Sequence, residues 1–503
     1  MVRPAAGQGI ARVAARALAC DSSLHPGTRV WLWIVLVLAA CGHDEVALGA
    51  GPTLRARFGD LPFLTPIDAP PTIALVAGGT VSSAARSCAA CHTDNHAEWS
   101  MATHASAVHD LQYLAELAKP GQPRWLCLNC HAPTAPQRAE SFTLDSALVD
   151  GITRVASTPN ADFDPARVAE GVGCATCHVR RDADGQGIVV GPRGSGRAPH
   201  RVRADRSALT GICVNCHSPT GPAGPDGKPS PIQISATVVC WFETAQELAA
   251  TLSSPEASKV LGSASGCTDC HMPRTERAAA SGGPVVDLAR HVWTGGGIPK
   301  SYDGYDTLIA RGWESGLDVK VVGRQVTLTN ARAGHSLPTA DPERFLRVEA
   351  RVESGGEVIS RDVLRIGQVW DWGDAATGRV AHRLSDNRLR GGESRVWSPK
   401  LAGDGDVIVE VAMVRLTPDN AMSMQQVTLD AELAALWPEA QDLLRHMDAH
   451  YPLVTYVYRR KAEQGTGGAT GAVRVWTPAE LLVESKAFAS VPLQLRRELL
   501  SVE

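Results

Sequence analysis

Aromatic side chains are scarce in this 503-residue chain, at 5% of the whole, while glycine (47 residues) and proline (32 residues) are plentiful. A chain of this length could hold two or three domains, but a core built from so few large side chains would be thin, and other apolar bulk is needed to fill it. An excess of positive charge is lacking too. The formal net charge is −4, and without residues 1–40 the remaining 45 basic and 52 acidic residues give about −7. That balance argues against a nucleic-acid partner and is compatible with a basic one. The apolar run Trp31–Ala40 has ten residues, too few to span a bilayer. The HExxH pattern of a helical zinc site does not occur.

What is present is cysteine in a fixed pattern. Cys-x-x-Cys-His occurs five times, at Cys88, Cys91 and His92; Cys127, Cys130 and His131; Cys174, Cys177 and His178; Cys213, Cys216 and His217; and Cys267, Cys270 and His271. Cysteines three positions apart lie about one helical turn from each other and can form thioethers with the two vinyl groups of a porphyrin, with the next histidine under the iron. Tetrahedral zinc also uses paired cysteines, yet it has no need of a histidine directly after every second one. The expected cofactor is therefore five covalently bound haem c groups. They would supply the missing apolar bulk, in a segment of short helices, long loops and stacked macrocycles with little regular sheet.

Ten of the 13 cysteines belong to these motifs. Cys20 lies in the leader, and Cys41 ends the stretch Leu38-Ala39-Ala40-Cys41-Gly42, which resembles a bacterial lipobox. Residues 1–40 then read as a lipoprotein signal peptide, with Cys41 lipidated as the first mature residue. Haem attachment to Cys-x-x-Cys-His also points outside the cytoplasm. The expected location is the cell envelope, periplasm or outer membrane, with a lipid anchor at Cys41. Cys240 remains and reads as a small buried hydrophobe.

Residues 41–87, rich in Pro, Gly and Ala, read as a linker, and residues 88–315 as a pentahaem domain whose motif starts are 39, 47, 39 and 54 residues apart. These uneven gaps argue against a tandem array. Asp145–Asp150, Gly185–Gly196 and Pro219–Pro231 read as surface loops. After Gly316 apolar and polar residues alternate in 319–329, 345–352 and 407–416, with turns at Ser354-Gly355-Gly356 and Gly403-Asp404-Gly405. This predicts an antiparallel β-sandwich over 316–503, interrupted by a helix at 430–450. A terminal helix over 478–500 would start from the capping signature Thr477-Pro478-Ala479-Glu480. The fold class is α+β.

Each iron needs a second axial ligand unless it is left open for chemistry. The histidines outside the motifs and after residue 41 are His43, His96, His104, His109, His200, His291, His335, His382, His446 and His450. At this point the chain resembles the multihaem cytochromes c related to the tetrahaem cytochrome of ammonia oxidisers and to hydroxylamine oxidoreductase. The resemblance is carried by Cys88–His92 followed by Glu98-Trp99-Ser100 and His104; by Glu170-Gly171-Val172-Gly173; by Cys267–His271 followed by Met272-Pro273; and by Asn330 with Gly334-His335-Ser336-Leu337-Pro338-Thr339. It extends over roughly residues 85–420. The resemblance implies distal ligands at His104 and His335, with His291, in Arg290-His291-Val292-Trp293, at a third such position. His200 is a fourth candidate, and His96 or His109 a fifth. Ala340 follows Thr339 where the family has glycine. His446 and His450, four apart on the expected helix, read as solvated residues.

These residues predict an electron-transfer protein with mostly His/His-ligated haems, serving redox partner proteins in the cell envelope. The alternative is a multihaem oxidoreductase acting on a small nitrogen or sulfur compound at one open haem. No Cys-x-x-Cys-Lys motif occurs, and all five motifs end in histidine. No catalytic residue is assigned.

Overall fold

The alternating pattern after Gly316 folds into two antiparallel sheets. In the computed structural model of the chain, which describes residues 51–501 apart from 195–196, 224–228, 231, 234–238, 241, 294–314, 375, 452 and 465–469, a three-stranded sheet joins Leu317–Val322, Gln325–Asn330 and Ser394–Trp397. A six-stranded sheet runs in the order His382–Asp386, Glu357–Asp371, Phe345–Ser354, Asp406–Val414, Val454–Gln464 and Thr470–Val475. Val326 and Leu328 of the smaller sheet share one core with Leu346, Val348, Ile366, Val409 and Val411 of the larger. In register, Val348 lies opposite Leu364 on one side and Val411 on the other. Every second residue of these strands thus reaches the space between the sheets over the stretch they share.

The intervening residues of the central strands are charged, and they are buried as well. Arg347, Glu349 and Glu410 are each about 5–6% exposed. Arg351 reaches Glu349, Glu353 and Glu410 at 2.9, 2.6 and 2.8 Å, and Arg459 reaches Glu410 at 2.9 Å. The helix Pro478–Ala489 packs on the neighbouring strand, where Ser485 Oγ accepts the amide of Tyr456 at 2.9 Å. A pattern that reads as solvent-facing is here a paired ionic layer, which is how buried charges are tolerated.

The helix expected over 430–450 is three short ones, Ala431–Leu436, Ala440–Arg445 and Met447–His450, and the first stops before Pro438. The terminal helix is two, Pro478–Ala489 and Leu493–Leu500, separated at Pro492. Both breaks follow from the missing amide and the ring clash of proline. The start at Thr477 has the expected capping box, with Glu480 N donating to Thr477 Oγ1 at 3.3 Å and Thr477 N to Glu480 Oε2 at 2.7 Å.

Two expectations are corrected. From residue 51 the expected linker is packed structure: the helix Leu54–Phe58 buries Leu54 and Phe58, which join Phe63, Leu64 and Trp125 in one cluster. Four large apolar side chains within eleven residues are better buried than left in water. The stretch read as a loop at 185–196 contains the strand Gly187–Gly191, central in a three-stranded sheet between Val179–Arg181 and Val202–Ala204. Its β-branched Ile188-Val189-Val190 run outweighs the flanking glycines, and Val190 is fully buried. Cys20, Cys41, His43 and Cys240 are not assigned a structural role, the first three lying outside the described residues.

A further core cluster joins the helix Leu111–Ala118 to the last helices, with Leu114, Leu117 and Phe345 against Leu433, Leu444, Met447 and Leu500. The apolar contacts therefore run across the boundary expected at 315/316, and residues 50–503 form one contact unit.

Candidate haem-binding and metal-ligand sites

Each of the five motifs lies on or beside a short helix: Ala85–Ala89, Arg124–His131, Cys174–His178, Arg206–His217 and Cys267–His271. The last four end on the motif histidine. The first motif helix touches the third, the third touches the fourth, and the fourth touches the fifth. The cysteines of different motifs approach one another in a similar order, Cys88 beside Cys174, Cys213 beside Cys267, and Cys216 beside Cys130. The fourth motif is the junction, since its two cysteines meet the fifth and the second.

Four motif histidines each face a histidine from elsewhere in the chain. Ring centroids are 6.3 Å apart for His92 and His200, 6.1 Å for His104 and His217, 6.1 Å for His178 and His291, and 6.2 Å for His271 and His335. The ring stacked on His131 is that of Tyr113, at 3.6 Å and 2°. His96 lies against Trp99 at 5.3 Å, and His109 against Trp437 at 5.0 Å. Among the described residues no cluster of three or more His, Cys, Asp or Glu forms a conventional metal site, the region of His446 and His450 included.

The ring nitrogens are fixed from behind. Nδ1 of His92, His131 and His178 lies 2.7, 2.6 and 2.9 Å from the carbonyls of Ala279, Ala107 and Val190. A protonated Nδ1 donating to a carbonyl leaves the Nε2 lone pair for a metal. Burial lowers the pKa of His178, His200 and His335, and it brings His291 down to about 4. These imidazoles are neutral at neutral pH, the form that binds iron.

The segments carrying the non-motif histidines are held by specific contacts. Val172 N donates to His104 O at 2.9 Å, and Trp99 Nε1 donates to Val172 O at 2.9 Å. Gly171 has φ +53°, and a Cβ there would stand 2.7 Å from the His104 carbonyl, so the Glu170–Gly173 stretch needs a glycine at this point. Trp293, at φ +40°, sets its ring nearly perpendicular to both His104 and His291, 4.6 and 5.4 Å away. In the turn at His335, fully buried Asn330 donates to the carbonyls of His335 and Leu389 at 2.7 and 3.1 Å and accepts from Ala333 N. Gly334 is there for close approach, since a Cβ would meet Leu248 and Leu261 at 2.6 Å.

Ala340, where the resemblance leads one to expect glycine, has φ +66°. The left-handed conformation costs a residue with a Cβ about 1–2 kcal/mol, of which glycine's extra freedom when unfolded returns part. Ala340→Gly is expected to raise stability by about 0.5–1 kcal/mol in denaturant or thermal unfolding. An equal or lower midpoint would contradict this account of the turn.

Whether these residues suit covalent haem is answered by what the polypeptide leaves unsatisfied. The twelve-residue helix Arg206–His217 has no buried residue among its own protein contacts, although it carries Leu209, Ile212 and Val214. An apolar macrocycle lying against this helix would cover those side chains. Residues 87–179, which contain the first three motifs, match the family model described as "Cytochrome c554 and c-prime". That stretch is similar to the multihaem cytochromes c.

The matched stretch is less than half of the chain and shorter than the 85–420 over which its motifs resemble that family. No curated protein matches the chain. Among solved structures, a penta-heme cytochrome c552 from Thermochromatium tepidum is similar at 22% identity and a TM-score of 0.43, over 70% of this chain and 95% of that one. The five Cys-x-x-Cys-His motifs together with this family match support haem c as the cofactor. Tyr113, Trp293, Glu98 and Glu247 were not singled out as site residues from the sequence. Glu98 and Trp293 had a signal there, as parts of the Glu-Trp pair and of Arg290-His291-Val292-Trp293; Tyr113 and Glu247 act through contacts farther away in the chain.

Proposed function

We propose that the chain is an exported pentahaem cytochrome that passes electrons among covalently bound haems, four of them ligated by histidine on both sides. The motif ligands are His92, His178, His217 and His271, and their partners are His200, His291, His104 and His335, in that order. The fifth haem is assigned to Cys127, Cys130 and His131 by its motif. The observation that carries this reading is the common separation of the four ring pairs, 6.1–6.3 Å between centroids. Two imidazoles on one metal, each bonded at about 2 Å, would have centroids roughly 6 Å apart. Packing alone gives no reason for four unrelated pairs to share one spacing.

When bound, haem supplies one-electron iron chemistry. The protein residues would hold it between pairs of neutral imidazoles, a ligand set that would keep iron low-spin and disfavour binding of small molecules. The order of motif contacts supports a path from the first site through the third to the fourth, from which the second and fifth branch. We further propose that the chain works in the cell envelope, anchored by lipid at Cys41, with redox proteins as partners. The signal-like run, the lipobox-like Cys41 and the acidic balance of the remaining chain support this.

A pyridine haemochrome assay combined with electron paramagnetic resonance of the oxidised protein tests the proposal. The expected result is five haems per chain, at least four of them low-spin. Two or fewer haems, or more than one high-spin haem, would overturn it.

A further inference from the structure

Two glutamates from different helices make the same contact to two of the histidine-bearing segments. Glu98, on the helix Thr93–Ser100, is 5% exposed. Its Oε2 accepts the amide of His291 at 2.9 Å and Nη2 of Arg277 at 2.7 Å, and its Oε1 accepts Nη1 of Arg277 at 2.7 Å and Nε of Arg290 at 2.6 Å. Glu247, on the helix Thr244–Leu252, has a side chain 10% exposed. Its Oε2 accepts the amide of Ser336 at 3.0 Å and the hydroxyl of Thr339 at 2.6 Å, and its Oε1 accepts Nη1 of Arg388 at 2.6 Å. The partners are 193 and 89 residues apart in the chain.

A buried carboxylate that accepts three or four strong hydrogen bonds is locked in orientation, because moving it would strand a buried charge. In both cases one of the donors is a main-chain amide, of His291 itself or of the residue after His335. The backbone that carries each imidazole is thereby held in place. Two arginines and the His291 amide donate all four of the bonds that Glu98 accepts, which is the donor set of a carboxylate and not of a carboxylic acid.

We propose that Glu98 and Glu247 are positioning residues that fix the imidazoles of His291 and His335 as axial ligands and, through their charge, lower the reduction potentials of the two haems concerned. This rests on the reading of His291 and His335 as iron ligands. Position and charge are separable. Glutamine keeps an acceptor oxygen near the amide and removes the charge. Aspartate keeps the charge and loses the reach. A purely structural role would change stability in either case without distinguishing the two.

The test is made on the haem-loaded full chain, by potentiometric titration followed optically and by electron paramagnetic resonance. Glu98→Gln and Glu247→Gln are each expected to raise one midpoint potential, with a three- to tenfold change in the oxidised-to-reduced ratio, up to about 59 mV for one electron, and to stay low-spin. Glu98→Asp and Glu247→Asp are expected to keep potentials near those of the parent while one low-spin signal broadens, shifts or gives way to high-spin. If all four variants bind haem and show the parent's potentials and spectra, with only thermal stability reduced, the proposal fails. Should the glutamine variants not accumulate, the aspartate variants decide it alone: unchanged low-spin signals overturn the positioning role. His291→Ala and His335→Ala serve as controls, because if they too stay wholly low-spin it is the ligand reading that falls.

Discussion

Replacing His335 by alanine is expected to convert one haem from low-spin to high-spin, leave the number of attached haems unchanged, and loosen the β-region from the segment that carries the motifs. Attachment survives because it rests on thioethers from Cys267 and Cys270, which the substitution does not touch. The spin change follows from the 6.2 Å, 12° pairing of His335 with His271. The loosening follows from where His335 sits. The turn that carries it reaches Leu248 and Leu261 through Gly334 and Glu247 through the Ser336 amide, so a metal bond at its tip would join the sheets to the helices of the haem segment. Losing a buried, bonded group of this kind costs about 2–4 kcal/mol. The measurements are electron paramagnetic resonance and limited proteolysis, with cleavage expected between residues 300 and 316. A variant with an all-low-spin spectrum and the parent's protease resistance would remove both the ligand assignment and the docking argument.

The second large effect is expected when the chain is produced where haem is not attached. The helices Arg206–His217 and Cys267–His271 have no buried residue in protein contacts alone. Isolated helices of twelve residues or fewer are marginal in water. Without porphyrin to cover Leu209, Ile212 and Val214, nothing offsets the entropy of ordering these segments. Proteolysis and hydrogen exchange should show residues 206–217 and 267–271 unprotected, while the strands Phe345–Ser354 and Asp406–Val414, whose core is supplied by both sheets, keep their protection. Loss of the motif helices should also expose the cluster around Leu114 and Leu444 in part, and lower the unfolding midpoint of what remains. An unattached chain as protected over 206–217 and 267–271 as the loaded one would contradict this.

Local signals were legible in proportion to how little they depend on distant residues. The capping box at Thr477 and Glu480 needs four consecutive residues, and it forms as read. The strands around 345–354 and 406–414 were visible because period-two alternation is a property of the backbone. The breaks at Pro438 and Pro492 were equally local, and the longer helices expected there ignored them. Reading Gly185–Gly196 as a loop weighed its glycines above three consecutive β-branched residues that a sheet could bury. Arg347, Glu349, Arg351 and Glu410 looked like solvent-facing positions because their burial depends on partners in neighbouring strands and on a covering helix.

The sequence by itself determined that this protein attaches haem c, since Cys-x-x-Cys-His places both thioether sulfurs and an axial nitrogen within five residues and needs no fold to be recognised. It also determined which histidines were available as partners. Only the tertiary structure decided which of them meets which: His200 lies across from His92, 108 positions away, while His104 passes the nearby motifs to meet His217. Glu98 and Glu247 became visible in the same way, by amides 193 and 89 residues distant. A covalent attachment is written into contiguous residues, whereas a ring facing another across a site depends on the packing of every element between them, and that packing is a property of the folded chain as a whole.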